Sequence, residues 1–196
     1  KTGFYIDQRE NRAYLAGHAA GADVLNCFAY TGGFGIYALK AGAANVLNID
    51  ASAGVLDIIN RNAEINSLPV SKMENRQGDA FVILRQMHKE GRLFDIVVLD
   101  PPKFASSRDQ LPSACRGYKD VNLQGFKLVK PGGLLVTFSC SSLMDQDLFS
   151  KIIADAALDA GREAQIIRRL GQSWDHPTLL SFPEGGYLKG LACRIV

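Results

Sequence analysis

Metal-binding patterns are missing from this chain. Its four cysteines, Cys27, Cys115, Cys140 and Cys193, are spread so widely that the nearest two stand 25 positions apart, which excludes the CxxC spacing of zinc sites. The three histidines, His18, His88 and His176, are equally scattered, so no metal is expected. No apolar run approaches the roughly 18 residues of a membrane span, and no secretory leader is visible. A reducing cytoplasm is the compartment this implies, with no membrane as partner. An excess of one charge is lacking too: 22 Lys and Arg face 20 Asp and Glu, a net charge of +2. Such a balance admits a polyanionic partner without demanding one.

Repeats and low-complexity stretches are absent as well. What remains is 47% hydrophobic and 21% charged, the composition of ordinary globular protein. A chain of this length reads as one domain over 1–196 that buries roughly 70% of its unfolded surface and needs no disulfide staple. It opens Lys1-Thr2-Gly3 without a methionine, which reads as a piece of a longer protein.

Short apolar runs alternate with longer helical patterns. Strands are expected at 23–28, 46–50, 72–77, 94–99 and 134–138, with helices over 34–41, 52–66, 80–90 and 145–160. Ser52 and Asp79 stand where helix N-caps belong. A long loop from Asp100 to about Tyr118 should lead into a helix ending near Val129. Two further strands, near 164–170 and 187–195, could pair as a hairpin. This alternation predicts βαβ units in a mostly parallel sheet with helices on both faces, an α/β fold. Ligands of such sheets bind outside the carboxyl ends of the strands. Cys27 and Cys193, inside apolar strands, are expected in the core.

The loop after the first strand, Asn26-Cys27-Phe28-Ala29-Tyr30-Thr31-Gly32-Gly33-Phe34-Gly35, carries glycines that let backbone turn sharply and approach a ligand. About 20 positions on, at the end of the second strand, Asp50 stands where an acid accepts hydrogen bonds from ribose hydroxyls. The dinucleotide pattern GxGxxG is missing, which weighs against a nicotinamide or flavin ligand. Gly78-Asp79-Ala80 follows the third strand, where an adenine would be reached.

Taken together, NCFAYTGGFG, DPPKF, ACRGYKD, FSCS and the opening GFYIDQRENR resemble the bacterial 23S ribosomal RNA cytosine-5 methyltransferase family, over essentially the whole chain. The resemblance implies a class I, Rossmann-like methyltransferase fold with seven strands in the order 3-2-1-4-5-7-6. It also implies an RNA-binding PUA domain preceding this segment, and S-adenosylmethionine as cofactor. Asp7, Gln8 and Arg9 would then cover the methionine end of the cofactor, although from the residues alone Asp7 and Arg9 read equally well as a surface ion pair. Phe28, Tyr30, Thr31, Gly32, Gly33, Phe34, Asp50, Ser52, Asp79, Ala80, Asp100 and Pro101 would complete its site.

Carbon 5 of a pyrimidine is barely nucleophilic. A thiolate adding to carbon 6 turns it into an enamine-like centre that can accept a methyl group. Ser139-Cys140-Ser141 ends the fifth strand and Asp100 the fourth, roughly 5 Å apart if the strands pair. Cys140 is the expected nucleophile and Asp100 the expected partner of the base edge; a small core thiol is the plainer reading of Cys140. Some RNA cytosine-5 enzymes carry a second cysteine directly after the strand-4 prolines, where this chain has Lys103, so product release stays unassigned, with Cys115 a candidate second thiol. Lys103, Arg108, Arg116, Tyr118 and Lys119 offer phosphate-binding charge and one stacking ring for an extruded base, or simply a solvated loop. Trp174, Asp175 and His176 are candidates for the rim. Ribosomal RNA is the expected partner, and a homodimer is compatible with the chain. Guanine methylation, which needs no thiol, a nicotinamide-dependent oxidoreductase and an RNA-binding module remain as alternatives.

Overall fold

A computed structural model describes residues 3–196. Seven strands form one sheet in the order β3-β2-β1-β4-β5-β7-β6: β1 is Asp23–Cys27, β2 Asn45–Asp50, β3 Met73–Gln77, β4 Phe94–Leu99, β5 Val129–Ser139, β6 Ala164–Leu170 and β7 Lys189–Ile195. The first five pair in parallel and β7 runs antiparallel between β5 and β6. This is the order the resemblance implied. The central strands are buried nearly throughout, as strands covered on both faces must be.

Six helices cover the sheet: α1 Arg9–Ala16, α2 Gly33–Lys40, α3 Ala53–Ile65, α4 Ala80–Lys89, α5 Leu111–Leu128 and α6 Gln146–Asp159. One core cluster joins Leu15 of α1 and Phe34, Ala38 and Leu39 of α2 to Val24, Val46, Ile96, Val98 and Val136. The other packs α4, α5 and α6 on Leu25, Ile49, Val97, Leu99 and Leu135. Alternate residues of each strand thus feed opposite cores. Cys27 and Cys193 are buried among the apolar side chains of the second cluster.

Two expectations need correcting. The segment read as a loop up to Tyr118 is helical from Leu111 onward. Pro112 sits in the first turn, where a missing N–H costs nothing, and Gly117 packs against the Phe104 ring rather than breaking the helix. Strand β5 begins at Val129, ahead of the Pro131-Gly132-Gly133 turn, because its pairing with β4 jumps from Phe94–Val129 to Ile96–Leu134 across an irregularity. Among the described residues no helix is long and apolar enough to cross a membrane, and no cluster of acidic, His and Cys side chains could hold a metal ion.

Candidate active site

The carboxyl ends of β1, β2, β4 and β5 open into one cavity of about 590 Å³, within the range of small-molecule sites. Its wall holds Phe28, Tyr30, Thr31, Gly33, Phe34, Asp50, Asp100, Pro101, Lys103 and Cys140. Asp7 and Gln8 line it from the N-terminal segment. Twelve of the residues read as site positions are therefore brought together.

The β1–α2 loop is held stiffly. Phe28 and Tyr30 both adopt positive φ (59° and 49°), a conformation bulky side chains avoid unless their surroundings enforce it. The enforcing bonds are visible. Ala29 N–H donates to Ile49 O (3.0 Å) and Gly32 N–H to Ala29 O (2.8 Å), while Asn62 Nδ2 donates to Thr31 O (2.9 Å). Gly32, at φ 78°, makes the turn into α2. Asp50 is the anchor: its Oδ2 accepts from Tyr30 N (2.8 Å) and its Oδ1 from Ser52 N (3.0 Å). Each oxygen keeps a second lone pair for a ligand hydroxyl.

The cover was only partly legible in the sequence. Asp7 is buried; its Oδ2 accepts from Tyr187 Oη (2.6 Å) and its backbone carbonyl from Ser173 N and Oγ (both 2.8 Å). Asn11 Nδ2 donates to Gln8 Oε1 and to Gly171 O. The N-terminal segment and the β6–β7 connection are thus sewn together above the cavity. Arg9 is not in the wall. It pairs with Asp175, which also meets His176 Nδ1 (3.2 Å). The expected ion pair with Asp7 is not formed, because Arg9 takes Asp175 instead. Arg12 lines the cavity instead, buried, donating to Tyr5 O (2.7 Å) and lying 4.3 Å above the Phe4 ring. His176 reaches the wall, whereas Trp174 is 75% exposed beyond it.

Several other sequence-based assignments fall outside the wall. Ser52 precedes α3, but its side chain makes no capping bond. Asp79 is exposed, and its carboxylate caps α4 through Phe81 N (2.8 Å). Ala80 is buried beneath it in the core. Tyr118 cannot offer a stacking face: it is 0% exposed, and its hydroxyl accepts from Ser139 Oγ (3.0 Å). Burial pushes that phenol up to about 12. Lys119 is tied to Asp159 (2.7 Å) across α6. Arg116 stays exposed on α5, away from the cavity wall.

Cys140 is half-buried in the wall, with Asp100 in the same wall. Burial pushes its thiol up and the Asp100 charge adds to this, while Lys189 and Lys103 pull it down. Arg12, Asn26 and Tyr187 were missed as wall residues. Asn26 carried a faint signal, being an amide inside an otherwise apolar strand.

Does this wall fit a nucleoside sulfonium ligand with an amino acid tail? Asp7 Oδ1 and Asn26 Oδ1 are buried acceptors with no hydrogen-bond partner among the described residues, and both residues line the cavity. Buried acceptors of this kind are costly unless something fills them, and an ammonium group would. Asp50, in the same wall, has acceptor capacity to spare for ribose hydroxyls. The fit is good.

Sheet order and site define a methyltransferase, and the match of residues 1–181 to the family model places the chain in the S-adenosylmethionine-dependent methyltransferase family. S-adenosylmethionine is its cofactor. Among individual relatives, it is 57% identical over 194 residues to the ribosomal RNA large subunit methyltransferase I of Aeromonas hydrophila, covering 99% of this chain and 49% of that protein. The protein of the same name from Shewanella amazonensis is 57% identical over 195 residues, covering 100% and 49%. The chain spans about half the length of these relatives. Among solved structures, SMU.776 complexed with SAH superposes with a TM-score of 0.88 at 23% identity, over 97% of this chain and 50% of that one. That likeness concerns the fold alone.

Proposed function

We propose that this chain transfers a methyl group to carbon 5 of a cytosine in large-subunit ribosomal RNA, through a covalent adduct of Cys140. The observation that carries the reading is the placement of Cys140 in the wall of the cofactor cavity with Asp100 beside it. The names of the 57%-identical relatives support ribosomal RNA as the substrate class. When bound, S-adenosylmethionine supplies an electrophilic methyl group on sulfur. Asp50 would hold the ribose, and Asp7 with Asn26 the ammonium, which orients the nucleoside across the mouth of β1.

Cys140 Sγ, as thiolate, adds to carbon 6, and the electron pair so displaced makes carbon 5 the nucleophile. Asp100 would accept a hydrogen bond from the amino group of the ring and so hold its polar edge beside the thiol. Once carbon 5 has taken the methyl group, its proton leaves to water, and the electron pair of that C–H bond restores the double bond and expels the thiolate. Lys103, exposed at the mouth, Arg108 in the following loop and Arg116 on α5 are the candidate positive groups left to meet phosphates. Nucleoside mass spectrometry of ribosomal RNA from cells lacking the gene tests the reading. Loss of one 5-methylcytidine, restored by the gene, is expected; loss of a methylguanosine instead would overturn it.

A further inference from the structure

Lys189, the first residue of β7, is buried to 6% exposure, yet the chemistry above leaves it without a task. Its Nζ donates to two carbonyls, Ser141 O (2.5 Å) and Tyr187 O (2.6 Å). Among the described residues no carboxylate pairs with it. A buried ammonium held only by neutral groups is expensive, and burial indeed pulls this amine down. Its position is specific. Lys189 lies opposite Ser139 in the β5–β7 ladder, and its amine reaches Ser141, so it brackets Cys140 from both sides.

The groups facing the thiol are few. Asp100, at the end of β4, opposes ionisation, as does burial; Lys103, after β4, and Lys189 favour it. The phenols of Tyr5, Tyr118 and Tyr187 also lie within electrostatic range, but they are neutral at working pH. Lys103 is exposed, so solvent screens it; Lys189 is not. Conversely, the charge that most raises the Lys189 amine is Cys140, with Asp145 behind it.

We propose that Lys189 is a positioning residue whose buried ammonium is the counter-ion of the Cys140 thiolate. The thiol proton leaves to solvent through the cavity mouth, no other bond changes, and the resulting ion pair satisfies two groups that are each costly alone. The catalytic consequence rests on Cys140 being the nucleophile; the ion pair itself does not.

The test is the pH profile of Cys140 alkylation by iodoacetamide, read by peptide mass spectrometry without RNA, in a Cys115→Ser background that removes the other half-buried thiol. Lys189→Met keeps the aliphatic stem. It should shift the profile to higher pH and slow alkylation near neutrality by about tenfold or more, the effect of losing one close charge. Lys189→Arg should stay near the wild-type profile. An unshifted profile in a folded Lys189→Met protein would overturn the proposal. Should that variant fail to fold, NMR titration of labelled lysine in the parent and in Cys140→Ala answers the same question. The Lys189 amine should titrate lower once Cys140 is gone, and an unmoved titration would overturn the proposal equally. Because neither readout involves RNA, both stay valid if nucleoside analysis finds a methylated base other than cytosine.

Discussion

Asp50 shows how much one side chain can organise. Both its oxygens already accept backbone N–H groups, from Tyr30 and Ser52, so it fixes the strained glycine loop and still turns acceptors toward the cavity, where we propose the ribose binds. Replacing it by alanine unties the loop and leaves donors unpaired. Asp50→Ala should weaken S-adenosylmethionine binding by roughly 1–3 kcal/mol, the cost of buried polar groups left unsatisfied. Calorimetry checks this, and unchanged affinity would remove Asp50 from the site. The residue was legible in the sequence because its distance from the glycine loop follows from one βα unit. Tyr118 was not. Whether a tyrosine between Arg116 and Lys119 faces solvent or core depends on helix phase, and the helix start was placed seven residues too late.

The sheet end that carries the site is fastened by a row of amides. Asn26 Nδ2 donates to Asn48 Oδ1 (2.8 Å), Asn48 Nδ2 to Asn75 Oδ1 (2.9 Å), and Asn75 Nδ2 to Asn60 Oδ1 (2.7 Å) of α3. The three strand residues are register partners, a relation that single-sequence reading cannot see because it depends on how parallel strands slide. Helix α2 rests on this row through Gly35, where a Cβ would stand 2.5 Å from Asn48 Oδ1 and 3.0 Å from Val46 Cγ1. Alanine there gains about 0.5–1 kcal/mol of helix propensity but meets a rigid partner, and overpacking of this kind costs roughly 1–3 kcal/mol. The clash wins, so Gly35→Ala should lower the thermal midpoint, and a raised midpoint would show that the amide row yields. Helix α5 carries a separate expectation. With Lys119 engaged by Asp159, Lys103, Arg108 and Arg116 remain as the candidates for phosphate. Lys103→Ala with Arg116→Ala should reduce the salt slope of RNA binding by about 0.7 per lost contact; an unchanged slope in filter binding would assign these charges elsewhere. Strands such as Phe94–Leu99 were read to the residue because five apolar positions around Asp95, closed by Asp100-Pro101-Pro102, admit little else.

At the level of the whole molecule, the cavity is closed by segments far apart in the chain. Asp7 and Tyr187 are 180 positions apart and share a 2.6 Å hydrogen bond. The tyrosine phenol is pushed up by burial and by this carboxylate, so it donates throughout the physiological range. Tyr187→Phe removes a bond to a charged acceptor and should cost about 1.5–3 kcal/mol of stability, with weaker cofactor binding, both seen by thermal shift with and without S-adenosylmethionine. Equal shifts in variant and parent would mean the cover does not contribute to binding. The opening segment was recognised only through family resemblance, since nothing local reveals that Asp7 meets Tyr187. In the proposed function the cavity serves one atom, Cys140 Sγ. RNA bearing 5-fluorocytosine decides its role, because fluorine cannot leave as a proton does. With cofactor and wild-type protein a denaturant-resistant protein–RNA adduct mapping to Cys140 should form, and Cys140→Ala should give neither adduct nor methylation while binding S-adenosylmethionine normally. Methylation without an adduct in the wild type, or an adduct that persists in Cys140→Ala, would contradict the thiol mechanism.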